Sequence, residues 1–296
     1  MTTQLINIGQ FSESPVLAVA RATGLNTRYG VEWDTQRVQS STGQFESLRN
    51  GEIDLAITSP DNVLLYATTA ENPLKQQLDV RFLRPIDRGL RLALYTSADI
   101  TSVDDLTGST LGVDVMSSGF AILMLDMLKK LGVDHSTIDF VAVGATPKRL
   151  GAINDGTIQG TILNAETAVA AEQEGLRRWV TSREISEDYL GTVLVQLSGE
   201  ISDRTRAFLD MWEAATQAIR SFATPDLLEL LGAQAPALAN PDYVGILQSD
   251  EYGCLEGEQV TAAQLRVLAG LRSRCGAYTP SENDILRLCS EGATGA

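Results

Sequence analysis

The stretch that decides the fold is Leu48-Arg-Asn-Gly51-Glu-Ile-Asp-Leu-Ala-Ile57-Thr-Ser-Pro-Asp-Asn62. Gly51 can adopt the left-handed conformation that ends a helix, so the residues before it are predicted to be helical. The alternate apolar residues from 53 to 57 suit a strand in a covered sheet. The polar residues 58–62 then form a loop at the carboxyl end of that strand, where open α/β sheets bind ligands.

The same pattern returns later in the chain, in Ile153-Asn-Asp-Gly156-Thr-Ile-Gln-Gly-Thr-Ile-Leu-Asn-Ala-Glu166. Gly156 corresponds to Gly51 at an offset of 105 residues. The same offset relates the predicted strand at 110–114 to the one at 5–9. One offset that carries matches through several elements indicates two α/β lobes built on one plan.

Composition limits the classes of function. The chain has 296 residues, of which 44% are hydrophobic and 21% charged, which is typical of a globular protein large enough for two domains. Its net charge of −15 argues against a nucleic-acid partner or an anionic membrane surface, since both require clustered Lys and Arg. No metal, cofactor or catalytic residue is predicted, because His135 is the single histidine and belongs to no catalytic set.

Three further expectations concern location in the cell, membrane insertion and the cysteines. Residues 1–4 show no basic or apolar leader, so the chain as written is expected in the cytoplasm, and in the periplasm or outside the cell if a leader was removed. The longest apolar run, 120–125, is too short to span a bilayer, so no membrane insertion is expected. Cys254, Cys275 and Cys289 match no zinc pattern and are expected as reduced thiols, with one disulfide as the alternative.

Two apolar segments divide the chain. Residues 90–95 and 190–197 are apolar almost throughout and are predicted to be crossing strands between the lobes. The predicted first lobe is discontinuous, comprising residues 1–96 and 197–296, and the second lobe is 97–196. After the second crossing the pattern becomes helical, and this tail is expected to pack on the first lobe.

Three motifs carry a resemblance to a known family. They are Ser102-Val-Asp-Asp-Leu-Thr-Gly with Gly112-Val, the segment 48–54, and the tail segment 265–279. In order and spacing they resemble the type II periplasmic-binding-protein fold, within it the substrate-binding proteins of nitrate, sulfonate and taurine transporters and the thiamine-pyrimidine-precursor group. The resemblance implies a two-lobed α/β fold with two crossing hinge strands and a helical C-terminal tail. It also implies capture of a small organic molecule by hinge closure, with an ABC-type permease as partner, although the leader of the transport members is not evident here.

Loops at strand ends and helix starts hold the predicted ligand contacts, because helix N-termini present free N–H groups to the cleft. These residues are Gln10, Phe11, Ser12, Ser14, Ser41, Thr42, Thr58, Ser59, Asp61, Arg88, Asp114, Met116, Ser117, Ser118, Gly119, Thr146, Asn164 and Glu166. Helix capping and turn hydrogen bonds would also account for many of the polar side chains. Arg88 favours a ligand carboxylate or sulfonate, whereas Asp114 and Glu166 favour a cation, so the sequence leaves the ligand charge open.

An enzyme or a cytoplasmic ligand sensor on the same scaffold is the alternative function. Desulfinases of this fold use a cysteine near the start of the chain, and pyrimidine synthases use a lysine and a histidine. The first loop here has no cysteine, and none of the four lysines sits at a strand end beside a histidine. A decarboxylase that acts by desolvating a carboxyl group would leave no motif, so this alternative stays open.

Overall fold

Two five-stranded sheets organise the chain in the computed structural model, which describes residues 5–257 and 259–293. Numbered along the chain, the first sheet has the spatial order β2 (Trp33–Arg37), β1 (Ile6–Gln10), β3 (Leu55–Thr58), β10 (Thr192–Leu197) and β4 (Val80–Asp87). The second has the order β7 (Asp139–Ala142), β6 (Thr110–Val113), β8 (Gly160–Leu163), β5 (Ala93–Thr96) and β9 (Arg177–Thr181). The expectation that residues 1–4 form no leader lies outside the described part of the chain, as do residues 294–296.

Both sheets follow one plan. In each, three parallel strands are followed by an inserted antiparallel strand, β10 in the first sheet and β5 in the second. The inserted strand also pairs antiparallel with an edge strand, β4 or β9. The chain therefore passes between the sheets twice, once before β5 and once before β10, which confirms the predicted two-lobed α/β architecture.

Helices cover both sheets. Among the described residues the α-helices are α1 (Pro15–Ala22), α2 (Leu25–Tyr29), α3 (Ser41–Asn50), α4 (Pro60–Thr68), α5 (Gly119–Lys130), α6 (Thr146–Asn154), α7 (Ala165–Gln173), α8 (Ser182–Ile185), α9 (Asp203–Ser221), α10 (Thr224–Gln234), α11 (Pro241–Gln248), α12 (Ala262–Arg274) and α13 (Glu282–Ala293). None of these helices combines the length and apolar character needed to cross a bilayer.

Local sequence signals set several helix ends as predicted. The Ser14 side chain accepts a hydrogen bond from the Leu17 amide, and Pro15 occupies the first turn of α1. Gly51 ends α3 in the left-handed conformation at φ +73°. Thr261 begins α12 in a capping box.

The structure corrects the repeat offset in the first strand of each lobe. A Cβ added to Gly9 would lie 2.7 Å from Ile53 Cδ1, and one added to Gly112 would lie 2.5 Å from Ile158 Cδ1. Gly9 and Gly112 are therefore equivalent, at an offset of 103, and the predicted offset of 105 is wrong for this strand. The second lobe has two more residues between its first two strands, so the later elements return to an offset of 105.

The first crossing consists of a turn at residues 89–91 followed by strand β5. The strand predicted over residues 90–95 begins only at Ala93, because Leu90 and Arg91 have positive φ angles, as does Gly89 before them. Pairing places β5 in the second sheet and β10 in the first. The division into lobes at residues 96 and 197 stays a prediction.

The helical tail differs from its expected packing. Helices α9, α10 and α11 pack on the first lobe, with the Phe208 ring against Trp33 at a centroid distance of 6.0 Å. Helix α12 instead contacts α4 of the first sheet's layer and α5 of the second. The tail therefore contacts both halves, since α11 also contacts α7 of the second half, whereas the sequence predicted packing on the first lobe.

Candidate functional site

A cleft opens where the carboxyl ends of the parallel strands of both sheets face each other. The loops after β1 and β3 line it from one side, and those after β6 and β8 from the other. About 900 Å³ of free space lies in the cleft, including its mouth toward solvent. The cleft lies at the strand ends of both sheets, which is where open α/β folds bind ligands.

Many of the predicted contact residues line this cleft. They are Phe11, Ser12, Ser14, Thr58, Ser59, Asp114, Ser118, Thr146, Asn164 and Glu166. They converge because both lobes repeat the arrangement of a strand end followed by a helix start. Whether these residues bind a ligand stays a prediction.

Three of these hydroxyls cap their own helices. Ser14 accepts from the Leu17 amide, Ser59 from the Asp61 amide and Ser118 from the Ala121 amide, over 3.3 to 3.4 Å. Their oxygens therefore already have donors, and what they offer a ligand is the remaining lone pair and a rotatable O–H.

The other predicted residues lie outside the described lining. They are Gln10, Ser41, Thr42, Asp61, Arg88, Met116, Ser117 and Gly119. Several of them make hydrogen bonds within the protein. The Thr42 hydroxyl accepts from the Tyr66 hydroxyl at 3.2 Å, and the Gly119 amide donates to Asn62 Oδ1 at 3.0 Å.

Asp114, at the end of β6, joins the two sides of the cleft. Its Oδ2 accepts a hydrogen bond from the Ser41 amide at the start of α3, at 2.9 Å. The other oxygen, Oδ1, is buried and has no partner among the described residues. The residue lines the cleft and is only 8% exposed, so this oxygen is a buried acceptor whose hydrogen bond is not made within the described chain.

Arg149, on α6, was missed by sequence reasoning. Its side chain is 2% exposed and lines the cleft. One terminal nitrogen donates to the Gly144 carbonyl at 2.6 Å, and the other to Thr146 Oγ1 at 3.0 Å and the Ile162 carbonyl at 3.2 Å. Burial lowers the pKa of the guanidinium to about 10, an effect that the nearby charge of Asp114 opposes. Its Nε is buried without a partner among the described residues.

Glu166 begins α7 opposite the tail residue Tyr243. Burial raises the pKa of this carboxyl, against the opposing influence of its own amide and of the Ser12 hydroxyl. Its Oε2 is buried and unpartnered within the described chain. The pKa of Tyr243 is raised well above its ordinary value, first by burial and then by the charge of Glu166. The two side chains thus form an acidic, poorly hydrated corner of the cleft.

The first crossing adds a buried carboxyl. Asp87, 1% exposed, accepts hydrogen bonds from the Gly89 amide at 2.7 Å and from the Thr192 hydroxyl. Burial raises its pKa to about 6, although these hydrogen bonds act in the opposite direction. Cys254 lies beside it, and burial, followed by the charge of Asp87, raises the pKa of the thiol to about 12. The described cysteines are all free, as expected.

The missed residues differ in how visible they were in the sequence. Arg149 follows the helix start Thr146-Pro147, but its position in the helical pattern does not distinguish it from an ordinary surface arginine. Tyr243 and Cys254 lie in the helical tail, far from any strand end in the sequence. Only the packing of α11 against α7 brings Tyr243 to the cleft, so no local signal could have found it.

The family model described as NMT1/THI5 like matches residues 13–226, more than half of the chain. The chain belongs to this family. No curated protein sequence matches the chain.

Solved structures share the fold at low identity. A ligand-binding component of an ABC-type import system from Staphylococcus aureus, with zinc bound, has a TM-score of 0.75 and 13% identity, with 99% of each chain covered. The alkanesulfonate-binding protein SsuA from Xanthomonas axonopodis pv. citri, bound to MOPS, has a TM-score of 0.74 and 14% identity, covering 96% of this chain and 97% of that one. The periplasmic nitrate-binding protein NrtA from Synechocystis PCC 6803 has a TM-score of 0.73 and 10% identity, covering 97% and 85%. These similarities establish the type II binding-protein fold.

Proposed function

We propose that this protein is a solute-binding protein that captures one small organic molecule in the cleft. The observation that carries the proposal is the cleft at the strand ends of both sheets, whose lining includes three residues with a buried polar atom that has no partner among the described residues. Arg149 Nε, Asp114 Oδ1 and Glu166 Oε2 are such atoms. Leaving a buried donor or acceptor unsatisfied costs about 1–3 kcal/mol, and a bound molecule would remove this cost.

Hinge closure is the proposed means of capture. The two crossings meet at Gly89 and Gly191, where the backbones are close enough that a Cβ on Gly191 would lie 2.4 Å from Gly89 Cα. Backbone contact of this kind defines a narrow pivot between the proposed lobes, residues 1–96 with 197–296 and residues 97–196. Rotation about such a pivot would open the cleft with little change inside either sheet.

The proposed partner is an ABC-type permease. Family membership and the shared fold with a component of an import system support this assignment. It implies that the protein works on the outer side of the membrane and delivers the closed, loaded form.

An enzymatic role finds little support in the cleft chemistry. Cys254 is the cysteine nearest the cleft, and its raised pKa keeps it as a neutral thiol at neutral pH. Since the thiolate is the nucleophile, a protonated and buried thiol is poorly suited to covalent catalysis. The desulfinase-like alternative would need a different nucleophile.

The test is the identification of a bound compound followed by rebinding. Protein purified without denaturation is unfolded, the released small molecules are identified by mass spectrometry, and each is returned in a thermal-shift assay. A true ligand at a hundredfold excess over its Kd should raise the Tm by about 5 °C or more and be recovered unchanged. Recovery of a converted product would contradict the proposal and favour an enzyme.

Two tryptophan variants localise the binding. Ser12→Trp places a bulky ring in the cleft and should abolish the shift, whereas Asp34→Trp, on the exposed side of β2, should retain it. Both variants should keep the Tm of the unliganded protein. Equal shifts in both would place the ligand outside the cleft.

A further inference from the structure

The charges that line the cleft are mostly negative. Four carboxylates line it, from Glu13, Asp87, Asp114 and Glu166, and Arg149 is the one basic residue among the described lining. Resting on the proposed function, we propose that the ligand is an organic cation with an apolar body, an ammonium or amidinium whose N–H groups bind Asp114 and Glu166. This assignment separates the protein from the solved sulfonate- and nitrate-binding neighbours.

Asp114 provides the first contact. Its carboxylate is held in place by the Ser41 amide through Oδ2, which leaves Oδ1 as a fixed acceptor. The side chain is 8% exposed, so water competes weakly for this oxygen. A ligand N–H on such an oxygen makes a charge-assisted hydrogen bond, which is stronger than a neutral one.

Glu166 provides the second contact, on the neighbouring loop of the same side of the cleft. Its unpartnered Oε2 lies in the same cleft, with Tyr243 as the aromatic neighbour. Burial raises the pKa of the Glu166 carboxyl, whereas the positive charge of Arg37 lowers it. The Arg37 guanidinium donates its own hydrogen bond to the Phe11 carbonyl, at 3.1 Å. A cation bound beside Glu166 would stabilise the ionised form of its carboxyl next to an aromatic side chain.

Arg149 does not make the cleft an anion site. Both of its terminal nitrogens donate to protein oxygens, at Gly144, Thr146 and Ile162, so the fork that would grip a carboxylate or sulfonate is occupied. Only Nε is free, and the charge of Asp114 acts on the same guanidinium. An anion placed at Nε would also meet the Asp114 carboxylate, which repels it. The free Nε suits a neutral acceptor on the ligand, such as a carbonyl, hydroxyl or ring nitrogen.

Apolar side chains surround these polar groups and select the rest of the molecule. The same cleft is lined by the apolar side chains of Phe11, Ile57, Ile86, Leu90 and Phe120. A small hydrated metal ion would leave this surface exposed to water, whereas an organic cation would cover it. The chemistry therefore favours an amine or amidine attached to a ring or an aliphatic chain.

The test uses matched probes that share a skeleton and differ in charge. Benzylammonium, benzamidinium and cyclohexylmethylammonium are compared with benzoate, benzenesulfonate and cyclohexanecarboxylate, and with neutral benzyl alcohol, by isothermal titration calorimetry at pH 7.5. The cations are expected to bind at least tenfold more tightly than the anions and the neutral probe. Tighter binding of any anion than of its cationic counterpart, or equal binding of benzyl alcohol, would overturn the proposal.

Charge-neutral variants identify the residues. Asp114→Asn and Glu166→Gln should each weaken cation binding by about tenfold to a hundredfold, since each loses one charged hydrogen bond. Glu229→Gln, an exposed carboxylate on α10, is the matched control and should leave the affinity unchanged. Cation binding that is unchanged in both cleft variants would overturn the assignment.

The design separates the two proposals. If a sulfonate or carboxylate binds and the cations do not, the solute-binding function stands and the charge assignment fails. If neither the probes nor any released compound binds, the solute-binding function fails and takes this inference with it. The thermal unfolding of each unliganded variant is measured as well, so a variant that fails to fold is recognised by the loss of its Tm.

Discussion

At the scale of single residues, buried ionisable groups determine the chemistry of the cleft. Asp87, Asp114, Arg149 and Glu166 all face it, and each departs from the solvated state that its residue type prefers. Burial of charge is costly unless partners compensate it. The free energy of this arrangement is therefore sensitive to pH and to conservative substitutions, and both can be tested.

Asp87 should make stability depend on pH. Its pKa rises from an ordinary 3.8 to about 6 on folding, so the folded state binds the proton more tightly and unfolding free energy falls as pH rises from about 4 to 6. At about 1.4 kcal/mol per pKa unit, the cost above pH 6 is roughly 3 kcal/mol. Asp87→Asn removes this cost. The stability difference between the variant and the original protein should therefore shift in favour of the variant by up to about 3 kcal/mol between pH 4 and pH 7.

Urea unfolding of both proteins at pH 4, 5, 6 and 7 measures this difference. Asp99→Asn, at an exposed aspartate, is the control for the removal of one carboxyl group. A constant difference for Asp87→Asn would mean that Asp87 titrates as an ordinary solvated carboxyl.

Arg149 should resist replacement by lysine. The guanidinium donates to three oxygens at the ends of two loops, and an ammonium group cannot reach all of them. Arg149→Lys should lower the unfolding free energy by about 2–4 kcal/mol, since buried carbonyls lose their donors. Arg178→Lys, at a 43% exposed side chain paired with Glu172, should cost less than about 1 kcal/mol. Thermal unfolding checks both, and equal small costs would show that the Arg149 fork is free for a ligand.

At the scale of elements, the crossing at Gly191 is the most constrained point. A Cβ there would lie 2.2 Å from Asp87 Oδ1 and 2.4 Å from the Gly89 backbone. Gly191→Ala should therefore destabilise the protein by more than about 2 kcal/mol, because backbone atoms would have to move apart. Its control is Gly245→Ala on the exposed side of α11, where nothing lies within 4 Å. This change should stabilise by about 0.5–1 kcal/mol through helix propensity.

Chemical unfolding of the two alanine variants distinguishes steric conflict from a general effect of replacing glycine. If Gly191→Ala were as stable as Gly245→Ala, the two crossings would be farther apart than the structure places them.

At the scale of the whole molecule, α12 ties the two lobes together. Arg272 donates to both carboxylate oxygens of Asp61 in α4, at 2.8 and 2.6 Å, and to the Ser117 carbonyl of the second half at 3.3 Å. Two residues farther along, Arg274 pairs with Asp126 in α5 at 2.8 Å. The tail therefore links the two halves at the edge where α4 and α5 meet.

The buried pair should be strongly coupled. Both side chains are 2% exposed, so Arg272→Met would leave the Asp61 charge uncompensated and should cost about 3–5 kcal/mol. The double change Asp61→Asn with Arg272→Met should recover much of this loss. Arg266→Met, which removes an exposed pair with Glu282, should cost less than about 1 kcal/mol. Urea unfolding of the original protein, of the single variants Arg272→Met and Asp61→Asn, and of the double variant gives the coupling energy, and additive losses at Asp61 and Arg272 would contradict the role of the pair.

Much of the architecture followed from local patterns. Helix starts at Ser14-Pro15 and Thr261 and the helix end at Gly51 depend on backbone conformations that neighbouring residues determine. The repeat of strand, helix and strand predicted the two lobes, and it placed the loops around Asp114 and Glu166 at a shared cleft. Local preferences sufficed here because each element is specified by residues within a few positions of it.

Only the tertiary structure decided which cleft groups are free to act. Arg149 acquires its chemistry from carbonyls that oppose it across loops, and Tyr243 reaches the cleft because α11 packs on α7. Asp61, which is predicted to contact the ligand, accepts a hydrogen bond from Arg272, more than two hundred positions away. Burial and hydrogen-bond satisfaction are long-range properties of the folded chain, so the sequence determined where a cleft would form, and the packing determined its charge.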